Sequence, residues 1–333
     1  MEHGRENLKV QQWVVLVALF LFCLKIVAYL LTGSIAVLTD ALESIVNVIA
    51  GVIGLYSLYV AAKPRDDDHP YGHGKAEFIS AALEGILIMV AGLVIIYEAT
   101  YHLVYPKPIQ KLDYGILLVA FTGLVNFLMG YIAIQKGKQN KSLALEASGH
   151  HLLSDTYSTV AVIVGLILIY FTHIQQIDSL SAILLSVFII SIGYRITRKS
   201  LAGIMDEADK KILSRMVDLL NSNRQENWID MHNLRVIKFG SVLHVDCHVT
   251  VPWYLNVRES HIEIDKLSEI ITNEFGESIE FFVHADGCLD FSCSICTKHD
   301  CPVRKHPFEK KIEWTLENII SNKKHQLSTP ENN

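Results

Sequence analysis

No HExxH pair stands anywhere in the chain, and no Walker-type phosphate loop. The first absence removes a familiar zinc-protease signature, and the second removes the P-loop that would point to ATP-driven pumping. There is no basic patch interleaved with aromatics, the footprint of a nucleic-acid surface. Charge itself is scarce: 19% of the 333 residues are Asp, Glu, Lys or Arg, against 50% apolar. The scarcity is uneven. Up to about residue 200 the chain is mostly long apolar runs; beyond that it turns charged and alternating.

This split predicts an α-helical membrane domain over residues 1–206 and a small soluble domain over 207–291. A cysteine-rich segment with a tail expected to be disordered fills 292–333. A membrane-crossing helix needs about 20 mostly apolar residues. Six stretches qualify, roughly 11–32, 35–62, 77–104, 112–136, 147–173 and 177–200. The first does not read as a cleavable signal: it is too long, and no small-residue cleavage motif follows it. Lys and Arg in the loops set the orientation. With the N-terminus inside, the inner segments hold eleven of them, from Arg5 to Lys199, and the outer loops hold only Lys107 and Lys111. Both termini are therefore expected in the cytoplasm.

Ionisable groups inside these runs need a reason, because a charge facing lipid costs about 2.5–3.5 kcal/mol on insertion scales. The fifth run contains "HHLLSD", in which His151 and Asp155 share a helix face one turn apart. The second carries Glu43 and Asn47 at the same spacing, with Asp40 one turn earlier. The two pairs should face each other or a water-filled cavity. They offer one imidazole nitrogen and three side-chain oxygens, a set that suits a divalent cation. His150 points about 100° away and reads as a neighbour. Lys25 in the first run is expected to snorkel or pair with a carboxylate. Between the second and third runs, "DDDHPYGHGKAE" offers a further cation site from Asp67, His69 and His73, or else a solvated acidic loop.

The marks "GSIAVLTDALESIVN", "HPYGHGKAE" and "HHLLSD", with six helices and a small following domain, resemble the cation diffusion facilitators over about residues 10–290. The resemblance implies a homodimeric antiporter that moves a divalent transition metal out of the cytoplasm, usually against protons. Carried over position by position, its transport site falls on Glu43, Asn47, His151 and Asp155, and its loop site on Asp67, His69 and His73. Lys75 and Asp206 match a charge pair that holds the dimer together near the membrane surface. The family's second-helix pair is most often two Asp, or His with Asp. Glu43 and Asn47 depart from it, and Asn47 removes one negative charge. A remaining nitrogen ligand keeps Zn²⁺ first, while the oxygen-rich set brings Fe²⁺ and Mn²⁺ close behind. The implied seat is a multi-pass cell membrane, best matched to a bacterial inner membrane, with lipid as surroundings and no nucleic-acid partner. The alternatives are a membrane metalloenzyme, or a metal-gated channel or receptor without coupled transport.

After residue 207 the periodicity changes to helix–strand–strand–helix–strand, which predicts an αββαβ ferredoxin-like layer. It is rich in His and Asp, and His244, Asp246 and His248 alternate along one strand face. By the resemblance, His232, His248, His284 and Asp286 fall on regulatory metal positions, with His261 completing a bridge between two such domains. Finally, Cys288, Cys293, Cys296 and Cys301 show C-x4-C-x2-C-x4-C spacing. In a reducing cytoplasm that points to Zn²⁺ or an iron–sulfur cluster, or to free thiols, rather than to disulfides. The last residues, "NKKHQLSTPENN", are expected to be disordered.

Overall fold

The computed structural model describes residues 2–32, 35–104, 113–172, 176–240, 242–276 and 279–327. It divides into two compact units, Met1–Met205 and Asp206–Asn333.

The first unit holds six long helices: α1 (Glu2–Thr32), α2 (Ile35–Ala61), α3 (Ala76–Val104), α4 (Asp113–Gln139), α5 (Leu143–Thr172) and α6 (Gln176–Ile204). Among the described residues, Gly4–Val27 and Ala76–Tyr101 are long and apolar enough to cross a membrane. The helices pair as α1 with α2, α3 with α6 and α4 with α5, and α5 also meets α2 and α3. Small residues bring the backbones close, as apolar bundles require when lipid offers no hydrophobic drive for association. A Cβ on Gly193 of α6 would stand 2.6 Å from the carbonyl oxygen of Gly85 on α3, and one on Gly149 of α5 would stand 2.8 Å from that of Gly130 on α4.

A buried polar chain ties four of these helices. Gln11 of α1 donates to the carbonyl of Gly51 on α2 at 3.1 Å and to Ser148 Oγ on α5 at 3.0 Å. Ser148 in turn donates to Glu84 on α3 at 2.6 Å. Gly54 leaves the room for this chain, since a Cβ there would lie within 3.0 Å of all three side chains. Hydrogen-bonding polar groups to one another inside an apolar bundle avoids the several kcal/mol that an unpaired group costs.

The second unit runs α7 (Lys210–Ser222), β1 (Asp230–Phe239), β2 (Val242–Val251), α8 (Val257–Phe275) and β3 (Ile279–Gly287). The sheet order is β1-β2-β3, antiparallel between β1 and β2 and parallel between β2 and β3. Asp209 caps α7 by accepting from the amides of Lys211 and Ile212, and Asn256 with Glu259 forms a capping box on α8. Leu213, Met216, Val217 and Leu220 of α7, with Leu267 and Ile271 of α8, pack on Leu243, Val245, Cys247 and Val249 of β2. Alternation along β2 therefore sends His244, Asp246 and His248 to the other face.

The expected break near residue 291 is not where this core ends. Trp314 and Ile319 of the extension, the latter in α9 (Leu316–Ile319), belong to the same core cluster. Arg224 lies 4.0 Å over the Trp314 ring and donates to the carbonyl of Ile312 at 2.6 Å. Of residues 322–327, placed by composition in a disordered tail, Lys324 and His325 are bonded back to the sheet, and 328–333 lie outside the described residues.

Gly193→Ala tests the close α3–α6 approach. Helix propensity favours Ala over Gly by about 1 kcal/mol, whereas overpacking costs about 1–3 kcal/mol. A thermal melt in detergent should therefore show net destabilisation. Gly4→Ala, whose Cβ would meet its neighbour at an ordinary 3.6 Å, should melt no earlier than the parent.

Candidate metal sites

Three sets of side chains converge in the way ligand chemistry needs. The first joins α2 to α5. Asn47 Nδ2 donates to Asp155 Oδ2, and Asn47 Oδ1 lies 2.9 Å from His151 Nε2. One amide of α2 thus bridges the two residues that helical spacing set on one face of α5. His151 is buried, and its Nδ1 has no hydrogen-bond partner among the described residues. Glu43 lies one turn before Asn47 on α2, and its side chain falls outside the described residues, as does that of Asp40. Lys25 of α1 is buried and donates to Ser44, the residue after Glu43, at 2.8 Å. The ammonium, expected to snorkel or to pair with a carboxylate, thus contacts α2.

The second set lies in the loop between α2 and α3. Asp66, His69 and His73 bring one ligand atom each within 4.8 Å of one another. His69 Nδ1 stands 3.0 Å from Asp66 Oδ1, His73 Nε2 stands 3.3 Å from Asp66 Oδ2, and the rings are 4.3 Å apart. The carboxylate beside the two imidazoles is Asp66's, in place of the expected Asp67, which is exposed and outside the trio. The reason is a turn: the Asp66 side chain also accepts the amide hydrogen of His69 at 2.7 Å. This closes residues 66–69 and fixes which aspartate faces the two imidazoles. Gly72, at φ +88°, then reverses the chain so that His73 returns. The His69 hydrogen bond is the main cause holding the Asp66 carboxyl below its ordinary range.

The third set spans the sheet. Strand register places His232 opposite His248 and His248 beside His284, a row of three imidazoles, and Asp286 lies two residues further along β3 on the same face. His232, His248 and Asp286 hold ligand atoms within 4.8 Å of one another. Asp286 sits 3.3 Å from His248 Nδ1, 3.6 Å from His232 Nε2 and 3.7 Å from His284 Nε2. His261 is not in the row: it stands exposed on α8 and pairs with Asp265 at 3.7 Å. Of the other two strand candidates, His244 meets Glu280 at 3.2 Å and Asp246 meets Arg235 at 3.6 Å.

Behind the row lies a second layer that spacing did not reveal. Buried Asp230 stands 3.3 Å from His232 Nδ1, the arrangement in which a carboxylate orients a ligating imidazole. Asp230 also accepts the amide of His325 at 3.0 Å and contacts that ring. Burial alone would raise the Asp230 carboxyl, but the contacts from His232 and His325 hold it well below the ordinary range. Lys324, from the same tail, places Nζ 3.5 Å from Asp286. A cation pairing with a candidate ligand competes with any metal there.

Lys75 lies in the turn before α3, and Asp206 follows α6 with a left-handed φ of 55°. Cys288, Cys293, Cys296 and Cys301 line one cavity in the second unit. A histidine and a lysine just before the chain's end were the available signals for the tail's part, but nothing in their spacing tied them to β1 or β3.

Residues 12–205 match the cation efflux transmembrane domain, and residues 208–288 match the cation efflux protein cytoplasmic domain. An uncharacterized transporter of Synechocystis sp. is 32% identical over 77% of this chain and 81% of its own length. The cation-efflux pump FieF of Cronobacter sakazakii is 26% identical over 86% and 95%. The magnetosome protein MamB of Magnetospira sp. is 26% identical over 73% and 83%. A transmembrane domain of this kind joined to its cytoplasmic partner domain defines a membrane transporter, not an enzyme. The chain belongs to the cation efflux family, the cation diffusion facilitators, which move divalent metal cations out of the cytoplasm.

Two outcomes follow from the tail contacts. Lys324→Ala should tighten Zn²⁺ binding at the sheet row by about three- to tenfold, the effect of removing one half-screened like charge, as read by titration calorimetry of the whole chain. The depressed Asp230 carboxylate stabilises the fold above its unfolded value, about 4, and this is lost as pH falls. His325→Ala lets the Asp230 value rise, so its acid unfolding should begin at higher pH than the parent's.

Proposed function

We propose that the chain exports a divalent transition metal in exchange for protons, with Zn²⁺ first and Fe²⁺ and Mn²⁺ close behind. It works as a homodimer with six membrane spans, both termini in the cytoplasm, in a bacterial inner membrane. Glu43, Asn47, His151 and Asp155 form the transport site. The observation that carries this reading is the single amide of Asn47 on α2 touching both His151 and Asp155 on α5.

The chemistry follows from those contacts. An ion that uses Asn47 Oδ1, His151 Nε2 and an Asp155 oxygen as ligands displaces protons carried on the imidazole and the carboxyl groups, while the Asn47 amide keeps its hydrogens and turns its oxygen to the ion. Binding is therefore tied to proton release. Two carboxylates and a neutral imidazole give a charge of −2, which a divalent ion cancels. Either the ion or protons relieve the cost of holding that charge at low dielectric. With the site open inward the ion displaces protons; with it open outward protons displace the ion. Asn47 contributes no charge, so this site holds its cargo less tightly than one with a third carboxylate.

The loop set and the sheet row take regulatory parts in this reading. Asp66, His69 and His73 offer a cytoplasm-facing site, in which Asp66 replaces Asp67. His232, His248, His284 and Asp286 form a sensing site, with His261 supplied by the partner protomer as a bridge. Lys75 and Asp206 close the dimer near the membrane surface.

The reading predicts that Asp155→Ala in proteoliposomes abolishes metal-driven proton movement while the protein remains folded and dimeric; parental flux would remove the proposed site. Asn47→Asp should bind metal at least tenfold more tightly, since one added charge partner is worth at least about 1.4 kcal/mol at low dielectric. Flux measured across Zn²⁺, Fe²⁺, Mn²⁺, Co²⁺ and Cd²⁺ fixes the cargo.

A further inference from the structure

Neither the transport site nor the sheet row uses the four cysteines that follow β3. They do not sit on a loose tail. The amide of Cys288 donates to the carbonyl of Val251 at 2.9 Å, which fastens the first cysteine to the end of β2. Cys293 lies in a single 3₁₀ turn, Asp290–Ser294. Ile295 and Cys296 are buried against Ile229. Arg304 then gathers the loop: its guanidinium donates to the carbonyls of Cys293 at 2.9 Å, Cys296 at 3.1 Å and Lys298 at 2.6 Å. The amide of Lys305 points at Cys293 Sγ, 3.4 Å away. All four thiols are free of disulfides and line one cavity, with Lys298 and Arg304 at its wall. Four thiolates converging beside two cations suit a metal group of net negative charge.

Spacing decides which group. A zinc ion with bonds of about 2.3 Å draws four tetrahedral sulfurs to about 3.8 Å from one another. Among the described residues the donor sets with ligand atoms within 4.8 Å are Asp66–His69–His73 and His232–His248–Asp286; no three of these cysteines form such a set. The thiols therefore stand wider apart than the sulfurs of a bound zinc ion. In an iron–sulfur cluster, iron and inorganic sulfide stand between the ligands and hold them farther apart. The run Cys288-x4-Cys293-x2-Cys296 also has a spacing used for such clusters.

We propose that Cys288, Cys293, Cys296 and Cys301 ligate an iron–sulfur cluster that pins the C-terminal extension to the end of the sheet. On ligation each thiol gives up its proton and bonds to iron, with no change in the oxidation state of the protein. The N–H of Lys305 and the charges of Lys298 and Arg304 stabilise the cluster's negative charge. The site lies beyond the matched cytoplasmic domain except for Cys288, that domain's last matched residue, and it does not depend on which cation is exported.

The test uses the full chain, purified in detergent without oxygen and supplied with Fe³⁺, Fe²⁺ and sulfide, so that the iron enters at the oxidation levels the cluster holds. The expected result is about two or four irons with matching inorganic sulfide per chain and a visible charge-transfer absorption. Cys296→Ser and the less buried Cys301→Ser should each lose the sulfide and the absorption, while Cys23→Ser keeps both. The parent's extension should also resist trypsin at Lys298 and Arg304 more than that of the Cys301→Ser chain. Zinc bound in place of iron and sulfide overturns the proposal, as do four thiols that stay freely reactive after reconstitution. Sulfide retained in both folded Ser variants overturns it as well.

Discussion

The arrangement depends on one constraint: polar and ionisable side chains inside an apolar helix bundle must meet partners from other helices. Asn47 meets His151 and Asp155, Gln11 meets Ser148, Ser148 meets Glu84, and Lys25 meets Ser44. Each contact joins different helices, so the polar groups specify the packing that glycine pairs such as Gly85 and Gly193 permit. A group positioned in this way can be exchanged for a cation or a proton without leaving a bare charge in low dielectric. In this bundle the cost of burying polarity and the capacity to carry an ion have the same source.

The cytoplasmic unit solves a different problem with the same residue types. On a sheet, cross-strand register aligns side chains with no cost of burial in lipid, and His232, His248 and His284 form a row because three strands are in step. The C-terminal extension then reaches that row from behind. Trp314 and Arg224 anchor it to the core, His325 braces Asp230, and Lys324 neutralises Asp286. The extension is part of the domain's core and of its candidate site.

Most of this was legible where periodicity speaks. The apolar runs gave the six helices, and alternation in residues 230–251 gave the strands. The i,i+4 pairs on α2 and α5 pointed to the contact that Asn47 makes with His151 and Asp155. What spacing could not give was set by turns and by long-range packing. Three consecutive aspartates look alike in sequence; the turn that the Asp66 side chain closes with the His69 amide chooses among them. Composition placed residues 322–327 with a disordered end, although a Trp eight residues earlier is a costly side chain to leave in water, and it signalled a core contact. His261 and the sheet row share a domain but not a face within one protomer. The resemblance named His261 because a second protomer enters the argument, which no single-chain pattern contains.

The central claim is that side chains of α2 and α5 converge on one ion. Metal-edge anomalous diffraction from crystals of the full chain soaked in Zn²⁺ tests it most directly. The account predicts a peak between Asn47, His151 and Asp155, within bonding distance of all three. Peaks confined to the loop and the sheet row, with Asn47 still bonded to both partners, would contradict it.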